Sequence, residues 1–315
     1  MPLVINGEIE SSKLRSFEEF SRKHEHFRVR ARNFCKKPQR RVKRPSGVLY
    51  IIQREYATVA QDDEPITIMG SEDATTCHIV VLRNTVSGVV SLGHFDGQST
   101  EEGIKGMIAS VTNLSRSKCD ANGRNELHLF GGFLDDRGFS SGLTVSILEA
   151  LQKQDEPIHL CSACVTGFNN VVESGQHKPI ISGIGVSIQD GEIYPATFEN
   201  KGPDEIIQHA RVFVGDERMV EVYNSSNKEL QIEPYDSKNK LPAKYLEFYC
   251  NADDKVILQN LSTSPHCEPP YFASTTRATF LHILTHPQPL ITVFPEGKPR
   301  VYQLSDSEKN WTRTS

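Results

Sequence analysis

The hydrophobic and polar positions divide the chain into a helical beginning and a strand-rich middle. Between residues 13 and 44, apolar residues recur at loosely helical spacing, which predicts an amphipathic helix with a basic, solvated face. After Pro45, short β-rich runs bounded by Gly, Asp and Asn predict a series of strands. These runs are GVLYIIQREYATVA, EPITIMG, CHIVVLR, GVVSLGHF, NELHLFGGF, IHLCSACVTGF, KPIISGIGVSI and GEIYPATFE.

Helical periodicity interrupts and follows these strands in STEEGIKGMIASVTNLSRS, SSGLTVSILEALQKQ, PDEIIQHARVFV and PPYFASTTRATFLHILTHP. Two hairpins are predicted near the C-terminus, one turning near residues 225–228 and one at residues 295–297. We therefore expect an α+β fold, an α-β-β sandwich of largely antiparallel sheets with helices packed on one side. The whole of 1–315 is predicted to be one domain, with a basic helix and linker at 13–44, a catalytic core at 45–200, and additional helices and hairpins at 201–315.

The composition is that of a globular protein, with 37% hydrophobic and 24% charged residues and a net charge of −5. No apolar run approaches the roughly 18–20 residues that a membrane span needs, and the N-terminus lacks the pattern of a secretory signal. Thirteen Lys and Arg lie between Lys13 and Arg44. This basic run is either a solvated helix and linker, which we favour, or a nuclear-targeting or nucleic-acid-binding segment. No aromatic residues interleave its KKPQRRVKR end as base-stacking platforms would.

The seven cysteines are odd in number and irregularly spaced, which favours reduced thiols in the cytosol over a disulfide framework. Cys161 and Cys164 form a single C-x-x-C motif within a strand-like run. A zinc site would need a second Cys or His pair nearby, and a thioredoxin-like motif would begin a helix. We therefore interpret this pair as structural and expect neither a metal nor a cofactor.

Cys77 and His94, 17 residues apart, are the candidate catalytic pair. Alternation along the strand turns the adjacent His78 away from Cys77. A hairpin turning midway between Arg83 and Gly88 would place Cys77 directly opposite His94, with Cβ atoms about 4.5–5.5 Å apart, whereas a one-residue shift would pair His94 with His78. An imidazolium beside a thiol lowers the pKa of the thiol and supplies a nucleophilic thiolate. The alternative interpretation is a buried cysteine beside a structural histidine.

The blocks GSEDATTCHIVVLR, GHFDG, LHLFGGFLDDR and NLSTSPHCEPPYF, with the leading MPLV, resemble the animal N-terminal asparagine amidohydrolase family in order and over nearly the whole chain. More distantly, the chain is similar to bacterial chemoreceptor glutamine deamidases and cytotoxic necrotizing factor deamidases. Those are cysteine amidohydrolases on an α-β-β sandwich, with a His 17 residues after the Cys and a later FGG block. Their third catalytic member, a Thr six positions before the Cys, corresponds to Ser71. Ser71 retains the hydroxyl of that Thr, but an extended chain would place it about 20 Å from Cys77. The segment GSEDATT must therefore loop back for Ser71 to reach His94.

The resemblance implies that a Cys77 thioester mechanism converts an N-terminal Asn to Asp and releases ammonia, with His94 as acid and base. A carboxylate would bind the α-ammonium of the substrate. We favour Asp73 and Asp96. Further candidates for substrate binding are Glu72, Thr76, Asp135 and Asp136.

The family resemblance also implies a first step of N-degron-dependent protein degradation in the cytoplasm or nucleus. Arginyltransferase and a ubiquitin ligase would act downstream on substrates that begin with Asn, and neither a membrane nor nucleic acid is an expected partner. Two alternatives remain: a cysteine amidohydrolase for internal Gln or Asn side chains, and a non-catalytic adaptor or nucleic-acid binder that uses residues 36–44.

Overall fold

A computed structural model describes residues 3–43, 46–118, 123–237, 241–305 and 310–314 of the chain. Arg44 and Pro45 at the predicted end of the basic segment, Cys119, and the N-terminal Met1 and Pro2 lie outside these residues. The strands are β1 Leu3–Ile5, β2 Glu8–Ile9, β3 Arg40–Val42, β4 Val48–Tyr50, β5 Glu55–Val59, β6 Ile68–Ser71, β7 His78–Asn84, β8 Val90–Phe95, β9 Asn125–Gly131, β10 Ile158–Val165, β11 Asn170–Glu173, β12 Gln176–Pro179, β13 Ile184–Ser187, β14 Ile193–Phe198, β15 Val220–Glu221, β16 Tyr223–Asn224, β17 Glu229–Ile232, β18 Arg300–Leu304 and β19 Trp311–Arg313. The helices are α1 Phe17–Lys23, α2 His26–Cys35, α3 Thr100–Lys118, α4 Phe139–Gln152, α5 Glu205–Phe213, α6 Ala243–Asn251, α7 Asp254–Leu261, α8 Phe272–Thr285 and α9 Pro289–Thr292.

The central layer is a sheet in the order β15-β5-β8-β7-β9-β10-β1-β2. Its middle strands β5, β8, β7 and β9 run antiparallel, and β9, β10 and β1 are parallel neighbours. Helices α3 and α4 pack against this sheet. A Cβ on Gly93 of β8 would lie 2.9 Å from the sulfur of Met107 in α3, so Gly93 faces the helices. Because strand residues alternate, the side chain of His94 points to the opposite face.

A second sheet, in the order β3-β14-β13-β6-β4, covers that opposite face. The two sheets meet where Ser71 of β6 contacts His94 of β8 at 2.8 Å. Helices, central sheet and second sheet therefore form three layers, and the predicted α+β class is confirmed. Helix α2 is an exception to the expectation that helices pack on one side of the sheets. Its Phe34 packs on Phe130 of β9, which lies on the same face of the central sheet as His94.

The C-terminal part adds a four-stranded sheet, β16-β17-β18-β19, and a group of helices in which α5, α6 and α7 contact α8. The hairpin predicted near residues 225–228 is confirmed by the pairing of β16 with β17. The hairpin predicted at residues 295–297 is wrong. Pro289 begins α9, a position where its fixed φ and missing N–H suit a helix, and β18 then pairs with β17 and β19.

The basic segment near the N-terminus is part of the packed structure. The predicted single helix is two helices, α1 and α2, separated at His24, which is bound to Glu10 at 2.8 Å. Arg40 forms an ion pair with Glu192 at 2.7 Å, and strand β3 adds to the edge of the second sheet beside β14. These contacts support the structural interpretation of the basic run over the nucleic-acid one. In the described part of the chain, no helix combines the length and apolar character needed to cross a membrane.

Candidate active site

Cys77 lies immediately before β7, and His94 is in β8 of the same hairpin. The residue directly opposite His94 is Ile79, so the predicted direct opposition of Cys77 and His94 is wrong by two residues. The reason is the turn: the Asn84 side chain accepts hydrogen bonds from the backbone N–H groups of Val86 and Ser87, which extends β7 to Asn84. A shift of two preserves the face, so Cys77 and His94 still lie on one side of the sheet.

His78 belongs to the other face, as strand alternation predicted. Its Nε2 is 2.7 Å from the hydroxyl of Thr144 in α4, and its ring packs beside Gly132. Burial lowers the pKa of His78 to about 4. His78 therefore contributes to packing on the helical side and is not a base for Cys77.

His94 is oriented by a chain of two hydrogen bonds. The Ser71 hydroxyl lies 2.8 Å from His94 Nδ1 and donates to the backbone oxygen of Ile51 at 2.7 Å. Because a hydroxyl has one hydrogen, Ser71 must accept from Nδ1–H. The neutral ring then carries its lone pair on Nε2, which is the form that a general base needs.

The segment between Ser71 and Cys77 loops back, as the sequence argument required. Asp73 adopts φ 64°, and the backbone N–H of Ala74 donates to the oxygen of Ser182 next to β13. This crossing carries the chain from the second sheet into the central sheet. Ser71 contacts His94 directly, and Cys77 lies on the same face of the central sheet as His94, although Ser71 and Cys77 belong to different layers.

Burial sets the protonation of the pair. It raises the pKa of the Cys77 thiol well above its usual value, with Asp96 and Glu268 adding to the rise. It lowers the pKa of His94 to about 4. Both shifts favour the neutral thiol and the neutral imidazole over the ion pair of thiolate and imidazolium. Among the hydrogen bonds of the described residues, none joins the two side chains, so any proton transfer between them belongs to the substrate complex.

The acidic residues Glu72 and Asp73, which precede Cys77, hold the ammonium group of Lys201. Lys201 Nζ lies 2.6 Å from Asp73 Oδ2 and 3.1 Å from Glu72 Oε1, and it sits 4.3 Å from the centre of the Tyr271 ring. The Tyr271 hydroxyl donates to Asp73 at 2.8 Å. Burial raises the pKa of Glu72. This cluster shows that the carboxylates and ring beside Cys77 can surround a primary ammonium.

A loop between α7 and α8 is hydrogen-bonded to Thr75 and Thr76, just before Cys77. The hydroxyls of Thr76 and Thr263 are 2.8 Å apart, and Ser264 donates to Thr75 at 2.9 Å. The same loop carries Glu268, whose pKa burial raises to about 7. The Ser262 hydroxyl of this loop donates to Glu268 at 2.5 Å, and the negative charge of Glu268 contributes to the raised pKa of Cys77.

Sequence reasoning did not identify Glu268, Lys201 or Tyr271 as site residues. The first and last lie in the block NLSTSPHCEPPYF, which offered a signal because it is among the segments that carry the family resemblance. Lys201 is at the predicted boundary between the core and the C-terminal additions, and no pattern in the sequence marks it.

Other carboxylates named from the sequence have structural partners. Asp96 accepts from Arg54 Nε at 2.7 Å, from the Gln53 amide at 2.6 Å and from the backbone N–H of Gln98 at 3.0 Å. Asp135 accepts from the first backbone N–H groups of α4, while Asp136 is exposed. Asp73 thus remains the better placed of the two favoured ammonium ligands.

Two glycines let the end of β9 lie close to the backbone of Cys77. Gly131 and Gly132 have φ of 94° and 65°, and Gly132 N–H donates to the backbone oxygen of Ala74 at 3.2 Å. A Cβ on Gly131 would lie 2.8 Å from the carbonyl oxygen of Cys77. At the FGG block, the backbone of β9 therefore approaches that of residues 74–77 so closely that only glycine fits.

Residues 38–313 match the sequence model of the family described as "Protein N-terminal asparagine amidohydrolase". A Mus musculus protein of that name is 39% identical over 316 residues, which cover 100% of this chain and 99% of that protein. Its Sus scrofa counterpart is 41% identical over 262 residues, 83% of this chain and 82% of that protein. An Arabidopsis thaliana protein of the same name is 29% identical over 279 residues, 81% and 78% of the two chains.

Proposed function

Because the chain belongs to the protein N-terminal asparagine amidohydrolase family, we propose that it hydrolyses the side-chain amide of an N-terminal Asn with Cys77 as the nucleophile. The observation that supports this mechanism most directly is the Ile51–Ser71–His94 hydrogen-bond chain, which leaves Nε2 of His94 unprotonated on the face of Cys77. A neutral imidazole beside a neutral thiol is a general base that acts when substrate arrives.

The reaction proceeds through a thioester. His94 Nε2 takes the thiol proton as Cys77 Sγ attacks the carboxamide carbon, and the amide oxygen gains negative charge. The backbone N–H of Cys77 has no acceptor in the hydrogen bonds of the described residues, so it is free to donate to this oxyanion. The tetrahedral carbon then expels ammonia, which takes its proton from His94. His94 next deprotonates a water molecule, which cleaves the thioester to aspartate and restores the thiol.

Selectivity for an N-terminal residue requires recognition of a free α-ammonium. Glu72, Asp73 and Glu268 supply up to three negative charges, and Lys201 supplies one positive charge. The surplus of negative charge favours a second ammonium in the site. We assign this role to Glu268 together with Asp73. Glu268 has no ion-pair partner among the described residues, and the Asp73 side chain is 32% exposed although it is paired with Lys201, whereas the Asp96 side chain is 9% exposed and paired with Arg54.

The product, an N-terminal Asp, fits a first step of N-degron processing in the cytoplasm or nucleus, upstream of arginyltransferase and a ubiquitin ligase. The support for this role is the reaction itself, since deamidation creates the acidic terminus that such a transferase would extend. Loss of activity by Cys77→Ala in cells should lengthen the lifetime of a reporter that begins with Asn and leave one that begins with Asp unchanged.

Ammonia release from a peptide that begins with Asn tests the proposal. We expect activity in the wild type, none measurable in Cys77→Ala or His94→Ala, and full activity in Cys250→Ser, a half-buried thiol on α6 that serves as control. The N-acetylated peptide should be inert. Equal turnover of the acetylated peptide would instead favour an amidohydrolase of internal side chains, and undiminished activity of Cys77→Ala would overturn the mechanism.

A further inference from the structure

A second cluster of reactive side chains lies away from the catalytic pair, on strands β9 and β10. Glu126, His128 and Cys161 bring a carboxylate oxygen, a ring nitrogen and a thiol sulfur within 4.8 Å of one another. All three side chains are half-buried, so solvent reaches the cluster. In the described part of the chain, this is the one group of three such side chains close enough to share a metal ion.

Strand geometry explains why the three side chains meet. Glu126 and His128 are two residues apart on β9 and therefore share a face. Strand β10 has an irregularity between Leu160 and Ser162, where the register with β9 shifts. The extra residue is Cys161, and a bulge of this kind redirects a side chain. The C-x-x-C motif is thereby divided, because Cys164 contacts Cys35 at 3.4 Å while Cys161 joins the cluster.

The surrounding groups orient the three candidate ligands. The Ser162 hydroxyl lies 2.8 Å from His128 Nδ1, and Nε2 has no hydrogen-bond partner in the described residues. Metal-bound histidines typically have such a partner on the second ring nitrogen. Arg124 is paired with one oxygen of Glu126, and Arg30 donates to the backbone oxygen of Cys161 at 2.7 Å.

We propose that Glu126, His128 and Cys161 bind a divalent cation of borderline softness, such as Zn²⁺. A carboxylate, an imidazole and a thiolate match the ligand set that Zn²⁺ prefers, with bond lengths of about 2.0–2.3 Å. Those lengths require tetrahedral ligand separations of about 3.3–3.6 Å, which side-chain rotation can reach from the present spacing. When the metal binds, the Cys161 thiol releases its proton to solvent. The thiolate and the Glu126 carboxylate then supply two negative charges, and a water molecule provides the fourth ligand. The bound ion would link β9 to β10 just before β9 reaches Gly131.

Cobalt is a spectroscopic probe for this site, because a cobalt–thiolate bond absorbs in the near ultraviolet and tetrahedral cobalt absorbs in the visible. The full-length protein, reduced and freed of metal, should develop both absorptions at one equivalent of Co²⁺ and lose them when Zn²⁺ is added. Cys161→Ser should abolish the thiolate band. His128→Asn should weaken cobalt binding at least tenfold.

Cys267→Ser is the matched control, since Cys267 is another half-buried thiol close to histidines, with His177 and His266 nearby. It should retain the cobalt spectrum. A thermal melt gives a second measurement: Zn²⁺ should raise the Tm of the wild type and leave that of His128→Asn unchanged. Absence of the thiolate band in the wild type, or its persistence in Cys161→Ser, would overturn the proposal.

Discussion

The Ser71 hydroxyl has one hydrogen and gives it to Ile51, so it can only accept from His94. We predict that Ser71→Ala lowers kcat by about 10²–10⁴-fold, the range that general acid–base catalysis contributes, with little change in KM. Without the acceptor, the His94 ring loses the contact that keeps the proton on Nδ1. Steady-state ammonia release measures both parameters.

Ser91→Ala is the matched control for this prediction. Ser91, in β8 of the central sheet, is fully buried like Ser71 and donates to a backbone oxygen, that of Ala57, at 3.1 Å. Both variants should lose about 1–3 kcal/mol of unfolding free energy. If Ser91→Ala lowered kcat as much as Ser71→Ala, the effect would be one of stability and Ser71 would have no positioning role.

Glu268 makes substrate binding depend on pH. Its carboxyl has a pKa raised to about 7 by burial, so it loses its negative charge, and its attraction for an ammonium, as pH falls below that value. The substrate α-amine, with a pKa near 7.7–8.0, loses its charge as pH rises. We predict a maximum of kcat/KM between these values, measured over pH 4–10.

In Glu268→Gln, the fall of kcat/KM at about pH 7, the acidic limb of the pH profile, should disappear. A fall near pH 4, where His94 becomes protonated, should remain. The substitution should also lower the maximum of kcat/KM about ten- to a hundredfold, since a hydrogen bond to a charged group is worth about 1.5–3 kcal/mol. An unchanged acidic limb in Glu268→Gln would assign the limb to another group.

For individual residues, the sequence predicts only those side-chain positions that follow from the local periodicity of a strand or helix. Alternation along the strand excluded His78 and placed Cys77 on the face of His94, and Ser71 was named from a resemblance. Their protonation depends on burial by residues that are distant in sequence, so the spacing of Cys77 and His94 alone does not predict it. Glu268 and Tyr271 come from a loop almost 200 residues after the nucleophile, and no spacing rule joins them to it.

The β7–β8 hairpin shows that the sheet face of a residue is predicted more securely than the residue with which it pairs. The predicted pairing register of β7 and β8 was wrong by two residues because the Asn84 side chain caps the turn. The face assignment was correct because the repeat of a strand is two. Likewise, α3, α4, α5 and α8 were recognised from their apolar faces, whereas α6 and α7 were not. The latter two are short, and each buries few residues.

We predict that replacing Gly132, at the end of β9, by any residue with a side chain destabilises the protein. A Cβ on Gly132 would lie 2.5 Å from the His78 ring and 2.9 Å from the Ser140 hydroxyl. We expect Gly132→Ala to lose about 1–3 kcal/mol through this crowding, in addition to the strain of a positive φ. Because the Gly132 N–H is hydrogen-bonded to Ala74, three residues before Cys77, kcat should fall as well.

Gly138→Ala is the control that separates the effect of steric crowding by a Cβ from the effect of backbone strain at positive φ. Gly138 has a similar φ of 71°, yet a Cβ added there would have no atom within 4 Å. The variant should lose only the strain energy and retain kcat. Urea denaturation and ammonia release measure the two effects. Equal losses in the two variants would mean that backbone conformation, and not the close approach to the nucleophile segment, explains the requirement for glycine.

At the scale of the molecule, the site is assembled from parts that are far apart in sequence. Ile51 and Ser71 come from the second layer, His94 from the central sheet, and Glu268 from the loop before α8. Strand β15 also pairs with β5 at the edge of the central sheet. Because the core at 45–200 lacks part of the site by itself, the prediction of one domain over 1–315 requires that the core and the C-terminal part unfold together.

The only tryptophan of the chain, Trp311, makes this prediction measurable. It lies in β19, and its indole N–H donates to the backbone oxygen of Val48 at 3.1 Å, so it reports the contact between the C-terminal strands and the second sheet. In a single cooperative unit, Trp fluorescence, far-ultraviolet circular dichroism and ammonia release should change at the same denaturant concentration. A fluorescence transition at lower denaturant, with activity retained, would show that the C-terminal strands unfold separately. Loss of activity together with that early transition would instead mean that the additions at 201–315 hold the Glu268 loop in place while the core stays folded.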